Sequence, residues 1–362
     1  MKTPILETER LLLRPLSPAD APAVFACAGD ERVTRYMSYK RHETTADTLE
    51  WLQSLDNDSG TSYDFGFIEK ASGELIGVGG LYWEAEKQQW RLGYYLRHDR
   101  WHRGFATEAA LKIVQFAKET LHETRIGSCH AVENPRSGQV IRNCGLVFTG
   151  YGTYEKLDGS ERFRCKEYLW TKTGEELTHH KGTQVLHTDR LVLRRFCETD
   201  AADIFAWAAN PAVTRYVSYQ THRSIADSEK ILQFWLDGYK REDNYNWAIT
   251  FDGKKVVGQI SVTEHDGVWD AGMGWQIDKP YWNRGYMTEA ARAVFEYLFC
   301  EVCFHRIYSG HDTRNPASGK VMQKLGMAPE GIARQHYYKP GFGTGDAQKY
   351  GILKEDWLDN RR

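Results

Sequence analysis

The stretch Trp101-His102-Arg103-Gly104-Phe105-Ala106-Thr107-Glu108-Ala109-Ala110 decides how this chain is read, and it is written twice. The second copy, Trp282-Asn283-Arg284-Gly285-Tyr286-Met287-Thr288-Glu289-Ala290-Ala291, lies 181 residues further on. The first copy follows a strand-like run, Leu92-Gly93-Tyr94-Tyr95-Leu96, and opens a helix. A glycine turn feeding a helix start presents unpaired backbone N–H groups and the positive end of the helix dipole. That combination holds an anion such as a pyrophosphate without a Walker lysine or a triple-glycine fingerprint. Arg103 and Arg284 can add charge-assisted bonds to phosphate oxygens. The block also suits a glycine that only turns the chain into a helix packed on a sheet, and alone it leaves both readings open.

Working outward, the duplication extends over most of the chain. Thr8-Glu9-Arg10-Leu11-Leu12-Leu13-Arg14 returns as Thr188-Asp189-Arg190-Leu191-Val192-Leu193-Arg194, and Val33-Thr34-Arg35-Tyr36 as Val213-Thr214-Arg215-Tyr216. Ser38-Tyr39 falls on Ser218-Tyr219, and Asn134-Pro135-Arg136-Ser137-Gly138 returns as Asn315-Pro316-Ala317-Ser318-Gly319. Four blocks in one order and nearly one register mark two whole domains rather than a solenoid. The polar segment between Thr173 and Thr183 reads as a linker, with His179-His180 solvated within it. The expected domains are residues 1–176 and 183–362.

Each half shows the same coarse order. An alternating strand is followed by a helix entered at Ser17-Pro18-Ala19-Asp20, where Ser caps and Pro fits the first turn. A second helix (Thr45 to Leu55; Ser224 to Tyr239), three short strands, the helix opened by the Arg-Gly block, one more strand, a short helix and a closing strand pair complete the unit. Strands outnumber helices and mix hairpins with crossovers, which predicts an α+β fold with a mixed, mostly antiparallel sheet in each domain. Gly77-Val78-Gly79-Gly80 reads as a strand with close backbone approach, because no helix pattern follows it.

Composition excludes several classes. Of 362 residues, 41% are hydrophobic and 27% charged, and no apolar run nears the roughly 20 residues a membrane helix needs. The N-terminus lacks the apolar core of a signal peptide, so a cytoplasmic location is expected. With 47 basic against 49 acidic residues there is no basic tract to hold nucleic acid. Seven cysteines in a large chain argue for reduced thiols. Cys300 and Cys303 lack a second pair at zinc spacing and read as two buried thiols, and no metal is expected.

Taken together, the repeated blocks resemble the GNAT superfamily of N-acetyltransferases, and within it the RimJ/RimL kind that acetylates ribosomal-protein N-termini. The resemblance rests on Thr8 to Arg14, Gly93-Tyr94, Trp101 to Ala110, Asn134 to Ser137 and Cys144-Gly145-Leu146, and on their second copies ending in Leu325-Gly326-Met327. It implies acetyl-CoA as cosubstrate, with the pyrophosphate on Arg103, Gly104, Phe105, Ala106 and Thr107 in the first half. Arg284, Gly285, Tyr286, Met287 and Thr288 take that place in the second, with the strand ends Leu96 and Ile277 and the pantetheine-holding Asn134 and Asn315 beside them. It further implies direct attack by an amine in a ternary complex, without a covalent intermediate on the protein. The tyrosine that protonates the leaving thiolate in many members is replaced by Ile141 and Met322, and the resemblance passes that role to Ser137 and Ser318. Met287 departs from the small residue of the family loop and is expected to crowd the pyrophosphate. Asp346, placed before the last strand, matches a family position that Phe163 fills in the first half.

An amine with a pKa near 10.4 is almost fully protonated at neutral pH, so a base must relieve it of a proton. The carboxylates and imidazole that follow the third sheet strand, Glu84 and Glu86 in one half and Glu264, His265 and Asp266 in the other, are the candidates, against a reading as solvated turn residues. Glu108 and Glu289 sit in a first helical turn and read as helix-start carboxylates. Tyr36, Tyr39, Tyr216 and Tyr219, with Trp51 and Trp235, form either an aromatic wall for the amine or plain core. The expected function is N-acetyl transfer to a peptide N-terminus or a small amine by a monomer or homodimer. The competing reading is a CoA-liganded scaffold with one or both halves inactive.

Overall fold

The computed structural model describes residues 2–55, 60–174, 177–217, 219–266 and 269–360. Met1, Glu175, Glu176 and Ser218, which the sequence reading used, lie outside the described residues. The chain divides into two compact units, Met1–Thr173 and Gly174–Arg362.

The first unit runs β1 (Leu6–Glu7), β2 (Leu11–Pro15), α1 (Ala21–Ala28), α2 (Glu31–Thr34), α3 (Thr45–Ser54), β3 (Ser62–Glu69), β4 (Leu75–Glu84), β5 (Gln89–Leu96), α4 (Phe105–Glu119), β6 (Arg125–Ala131), α5 (Pro135–Asn143), β7 (Val147–Glu155) and β8 (Arg162–Thr171). Its strands form one eight-stranded sheet, ordered β1-β2-β3-β4-β5-β6-β8-β7. Every neighbouring pair is antiparallel except β5 and β6.

The second unit repeats this plan with β9 (Leu186–His187), β10 (Val192–Arg194), α6 (Ala201–Ala208), α7 (Pro211–Thr214), α8 (Ile225–Gly238), β11 (Asn246–Thr250), β12 (Val256–His265), β13 (Asp270–Ile277), α9 (Tyr286–Tyr297), β14 (Arg306–Asp312), α10 (Pro316–Lys324), β15 (Ala328–Lys339), β16 (Gly343–Leu353) and α11 (Lys354–Asp359). Its sheet order mirrors the first, and β13 with β14 is the one parallel pair. Each unit is thus a mixed, mostly antiparallel sheet flanked by helices.

Local chemistry explains the elements. Ser17 and Asp20 form a reciprocal cap over a single 3-10 turn, so α1 starts at Ala21 rather than at the capping serine. Asp20 also takes both guanidinium nitrogens of Arg14, and Arg194 with Asp200 repeats the fork. In α4, Phe105, Ala109, Ala110, Ile113, Val114, Phe116 and Ala117 are buried, the helical spacing of a single core-facing stripe. In the Gly77–Gly80 run, a Cβ on Gly79 would lie 2.7 Å from the Gly93 carbonyl oxygen, and one on Gly80 would run into the Tyr63 carbonyl. Only glycine lets the backbones of β3, β4 and β5 approach so closely.

Three expectations change. The segment before β9 packs onto the second unit instead of standing in solvent: Thr178 and Thr183 are buried, and His180 Nδ1 lies 2.8 Å from the Tyr245 hydroxyl among Phe304 and His265. The register also moves one pairing. Val132 N–H donates to Arg164 O where Thr313 N–H donates to Asp346 O, so Arg164, not Phe163, occupies the place of Asp346. Asp346 lies inside β16 rather than before it. Cys300 and Cys303 are only half-buried, around a π turn at Leu298–Val302.

Candidate active site

The site is built where the parallel pair parts. β5 and β6 pair only at Trp90 with Ile126 and Arg91 with Gly127. The next contact is a side-chain substitute for the ladder: Ser128 Oγ donates to the Leu92 carbonyl at 3.0 Å. Beyond it, the β5 backbone from Gly93 to Leu96 has no ladder partner on its β6 side. The second unit does the same, with pairing that ends at Gly272 with Tyr308 and Ser309 Oγ donating to the Met273 carbonyl at 2.8 Å. Each parting leaves a wedge-shaped slot lined by strand amides.

At the end of β5 the chain turns into α4 through Gly104, which has φ 81°, a left-handed conformation that favours glycine. No side chain caps this helix start, and Gly285 repeats it with φ 81° at the start of α9. The indole of Trp101 donates to the Leu96 carbonyl at 2.9 Å and that of Trp282 to the Ile277 carbonyl at 2.7 Å, closing the turn on itself. Arg103 and Arg284 are exposed beside it. Open N–H groups, a helix dipole and free guanidinium groups at a slot's end are a donor set that fits a pyrophosphate. The Met287 side chain, 7% exposed, packs in the core rather than over the turn, so the expected crowding does not arise there.

The strand at the far edge completes the cradle. Glu108 accepts from Thr8 Oγ1 at 2.6 Å, Arg10 N at 2.9 Å and Arg10 Nε at 2.7 Å, while Arg10 Nη1 donates to the Arg103 carbonyl at 2.9 Å. The Arg10 guanidinium also lies over the Phe105 ring, 4.5 Å from its centroid. Glu289, Thr188, Arg190 and Tyr286 reproduce the clasp. The Thr-Glu/Asp-Arg repeat therefore fixes the turn from outside. The carboxylates do stand in the first helical turn, but their partners are in the turns that join β1 to β2 and β9 to β10.

On the other side of the slot, Asn134 precedes α5 and its Oδ1 accepts from Ser137 N at 3.4 Å. Gly138 follows because a Cβ there would collide with the His130 ring, and Gly319 sits likewise against His311. The Tyr94 hydroxyl, on β5, donates to the Ser137 carbonyl at 2.9 Å and lies 3.0 Å from Ser137 Oγ. Burial pushes the Tyr94 phenol well above its ordinary value, so it acts as a proton-bearing hydrogen-bond group. The equivalent of Tyr94 is Trp275, which has no hydroxyl to offer Ser318.

The base candidates separate. Glu84 accepts from Arg91 Nη1 at 2.7 Å and Gln89 Nε2 at 2.8 Å at the closed end of the β4–β5 hairpin. Burial raises its pKa, but these two donors outweigh it and leave the carboxyl below its usual value, a weak base. Glu86 is exposed in the turn. His265 faces the aromatic core with Tyr245 and Phe304 and is not brought to the slot. Glu264 reaches the slot: a Cβ on Gly272 would meet Glu264 Cγ at 2.8 Å and the Tyr308 ring at 2.9 Å. It lines a cavity of about 280 Å³ that also touches Tyr216, Ser309, His336 and Lys349.

One group was missed in the sequence. Asp64, on β3, is 1% exposed and accepts from the Tyr82 hydroxyl at 2.8 Å, and the Tyr82 ring overlies Gly93 at the start of the slot. Burial pushes the Asp64 carboxyl above its ordinary value despite the Tyr82 and Ser62 hydroxyls. By strand register Asn246 stands at this position in the second unit, and the face carries a neutral chain instead: Tyr219 OH to Gln276, Gln276 Nε2 to Gln259 at 2.8 Å, Gln259 Nε2 to Asn246 at 2.7 Å. The available signal was an Asp set among the aromatic residues Tyr63, Phe65 and Phe67. Of the aromatic residues, Trp51 and Trp235 pack in core clusters, whereas Tyr216 lines the cavity.

The model of the GNAT acetyltransferase domain matches this chain at residues 10–147 and again at 190–328. The chain belongs to the GNAT acetyltransferase family. Among its relatives, the uncharacterized N-acetyltransferase YoaA of Bacillus subtilis is 31% identical over 175 residues, 47% of this chain and 97% of YoaA. A GNAT acetyltransferase structure from Bacillus anthracis covers 48% of this chain and 99% of its own, with 26% identity and a TM-score of 0.43. The structure of RimL, a ribosomal alpha-N-protein acetyltransferase in complex with coenzyme A, covers 47% of this chain and 98% of its own, at 18% identity and a TM-score of 0.44. Each relative spans about one GNAT unit, and this chain carries two. GNAT membership makes it an acetyl-CoA-dependent N-acetyltransferase. Among the described residues no His, Cys, Asp and Glu gather into a metal-binding group, and no helix is long and apolar enough to cross a membrane.

Proposed function

We propose that both units bind acetyl-CoA in the slot between the parting parallel strands and transfer its acetyl group directly to an amine. The observation that carries this reading is the open β5 backbone from Gly93 to Leu96, set directly before the uncapped start of α4 and repeated at β13 and α9. In this reading the turn at Arg103 to Thr107, or Arg284 to Thr288, takes the pyrophosphate through backbone N–H groups. Asn134 or Asn315 holds the pantetheine arm, and a strand N–H polarises the thioester carbonyl.

The Ser137 hydroxyl, aligned by Tyr94, gives a proton to the departing sulfur in the first unit, and Ser318 does so unaided in the second. The amine loses its proton to Asp64 through Tyr82 in the first unit and to Glu264 in the second. A carboxyl held above its ordinary value is the better matched base near neutral pH, which favours Asp64 over Glu84. The acceptor is a small amine or a peptide N-terminus.

Isothermal titration with acetyl-CoA and measurement of free thiol released in the presence of amines test this reading. Two binding sites per chain and amine-dependent thiol release are expected. Absence of acetyl-CoA binding overturns it.

A further inference from the structure

Resting on the acetyl-transfer reading, we propose that the second unit selects an amine that itself carries an anionic group, with Glu264 receiving the ammonium end and Lys349 the anion. Both residues line the cavity of about 280 Å³ beside the β13–β14 slot. Among the described residues neither takes part in an ion pair. Their partners are neutral groups: Lys349 Nζ lies 2.8 Å from His336 Nε2, and the exposed Glu264 carboxylate accepts from the Tyr308 hydroxyl. The other carboxylate lining this cavity, Asp312, is already taken by Arg314, whose Nη2 lies 2.6 Å away. Two opposite charges left facing one open cavity, each without a counter-ion, form a complementary frame for a zwitterion.

The dimensions agree. Glu264 on β12 is in register with Gly351 on β16, three strand steps away, and Lys349 lies two residues along on the same face, which places the two backbones about 16 Å apart at the usual strand spacing. Side chains reaching in from each end leave room for a few atoms between an amine and its acid group. The volume lies at the small end of ligand cavities and suits an amino acid better than a polypeptide. The first unit lacks the frame: by register Arg91 replaces Gly272, Gly127 replaces Tyr308 and Glu167 replaces Lys349, and Arg91 and Glu167 are already paired to Glu84 and Lys87.

The test uses the full chain with acetyl-CoA and follows thiol release with glycine, β-alanine and γ-aminobutyrate, each compared with its own amide. At least one acid is expected to exceed its amide at least tenfold in kcat/KM. Lys349→Met is expected to bring that ratio close to one, and Lys349→Arg to retain it. Equal use of acids and amides, a preference that survives Lys349→Met, or acetylation confined to peptide N-termini overturns the proposal while leaving acetyl transfer standing. Failure to bind acetyl-CoA in calorimetry would instead remove the underlying reading.

Discussion

The Arg10 guanidinium and the Glu108 carboxylate meet at 2.6 Å, tying the N-terminal strand turn to the first turn of α4. Arg190 and Glu289 make the same pair in the second unit. Because Arg10 also holds the Arg103 carbonyl, this clasp sets the turn proposed to take the pyrophosphate. Its Arg side chain is 44% exposed, so solvent screens the ionic part, and the hydrogen bonds carry most of the effect. Glu108→Gln is expected to cost about 1 kcal/mol of stability and to weaken acetyl-CoA binding several-fold.

The acid dependence of that cost has a definite sign. Burial raises the Glu108 pKa, but Thr8 and Arg10 outweigh it and hold the carboxyl below its usual value. A carboxylate favoured in the native state contributes fully above its unfolded pKa and loses that contribution as pH falls through the folded one. Urea unfolding of wild type and Glu108→Gln should therefore differ most near pH 7 and converge below pH 4. A constant difference across this range would rule out the carboxylate as the source.

Ser137 and Tyr94 form a pair that the second unit lacks. If the Ser137 hydroxyl serves the leaving sulfur, Ser137→Ala lowers kcat of the first unit by about 100-fold, within the range for removing a general acid. Tyr94→Phe, which keeps the ring but removes the aligning hydroxyl, should lower kcat by about tenfold, while acetyl-CoA affinity stays within threefold in both variants. Thiol release measured in a Ser318→Ala background isolates the first unit. Unchanged turnover in Ser137→Ala would take the proton-donor role away from this serine.

The duplication and the strand–turn–helix order were legible in the sequence because they rest on local signals. Gly104 marks the left-handed turn, the alanines of α4 mark its buried stripe, and the glycines of β4 mark backbone crowding. Roles that depend on register were not legible. Arg164 replaces Asp346 only once β6 is aligned with β8, and the bulge near Thr263 decides that Glu264, and not the neighbouring His265, takes the slot face. The Arg91 side chain that takes up the Glu84 carboxylate comes from the next strand, and no spacing in the sequence predicts that bond.

Gly80 shows how strictly the packing of β4 is set. A Cβ would overlap the Tyr63 carbonyl on the neighbouring strand, a backbone atom that cannot swing aside. Gly80→Ala is therefore expected to destabilise the first unit by about 2 kcal/mol, as overpacked cores do. Gly73, whose added Cβ would meet nothing within 4 Å, has φ 71°, so Gly73→Ala costs through backbone strain alone, about 1 kcal/mol. Urea midpoints of the two variants should rank in that order, and the reverse order would contradict the crowding argument.

Asp64 poses a conflict between stability and chemistry. Its carboxyl is nearly inaccessible, and burial outweighs the Tyr82 and Ser62 hydroxyls that favour the charged form, so its folded pKa lies above the unfolded value of 3.8. Such a group destabilises the native state as pH rises through the unfolded pKa, and the penalty is complete above the folded one. Asp64→Asn copies the second unit, keeps an oxygen for the Tyr82 hydroxyl, and carries no charge to bury. It is expected to raise the urea midpoint at pH 7.5 and to leave it unchanged at pH 3, where both side chains are neutral. If Asp64 also accepts the amine proton, the same variant loses about 100-fold in kcat at pH 7.5, and raising the pH restores part of the loss as the amine deprotonates in solution. A more stable protein with unchanged turnover would make Asp64 a buried structural acid and return the first unit's proton transfer to water.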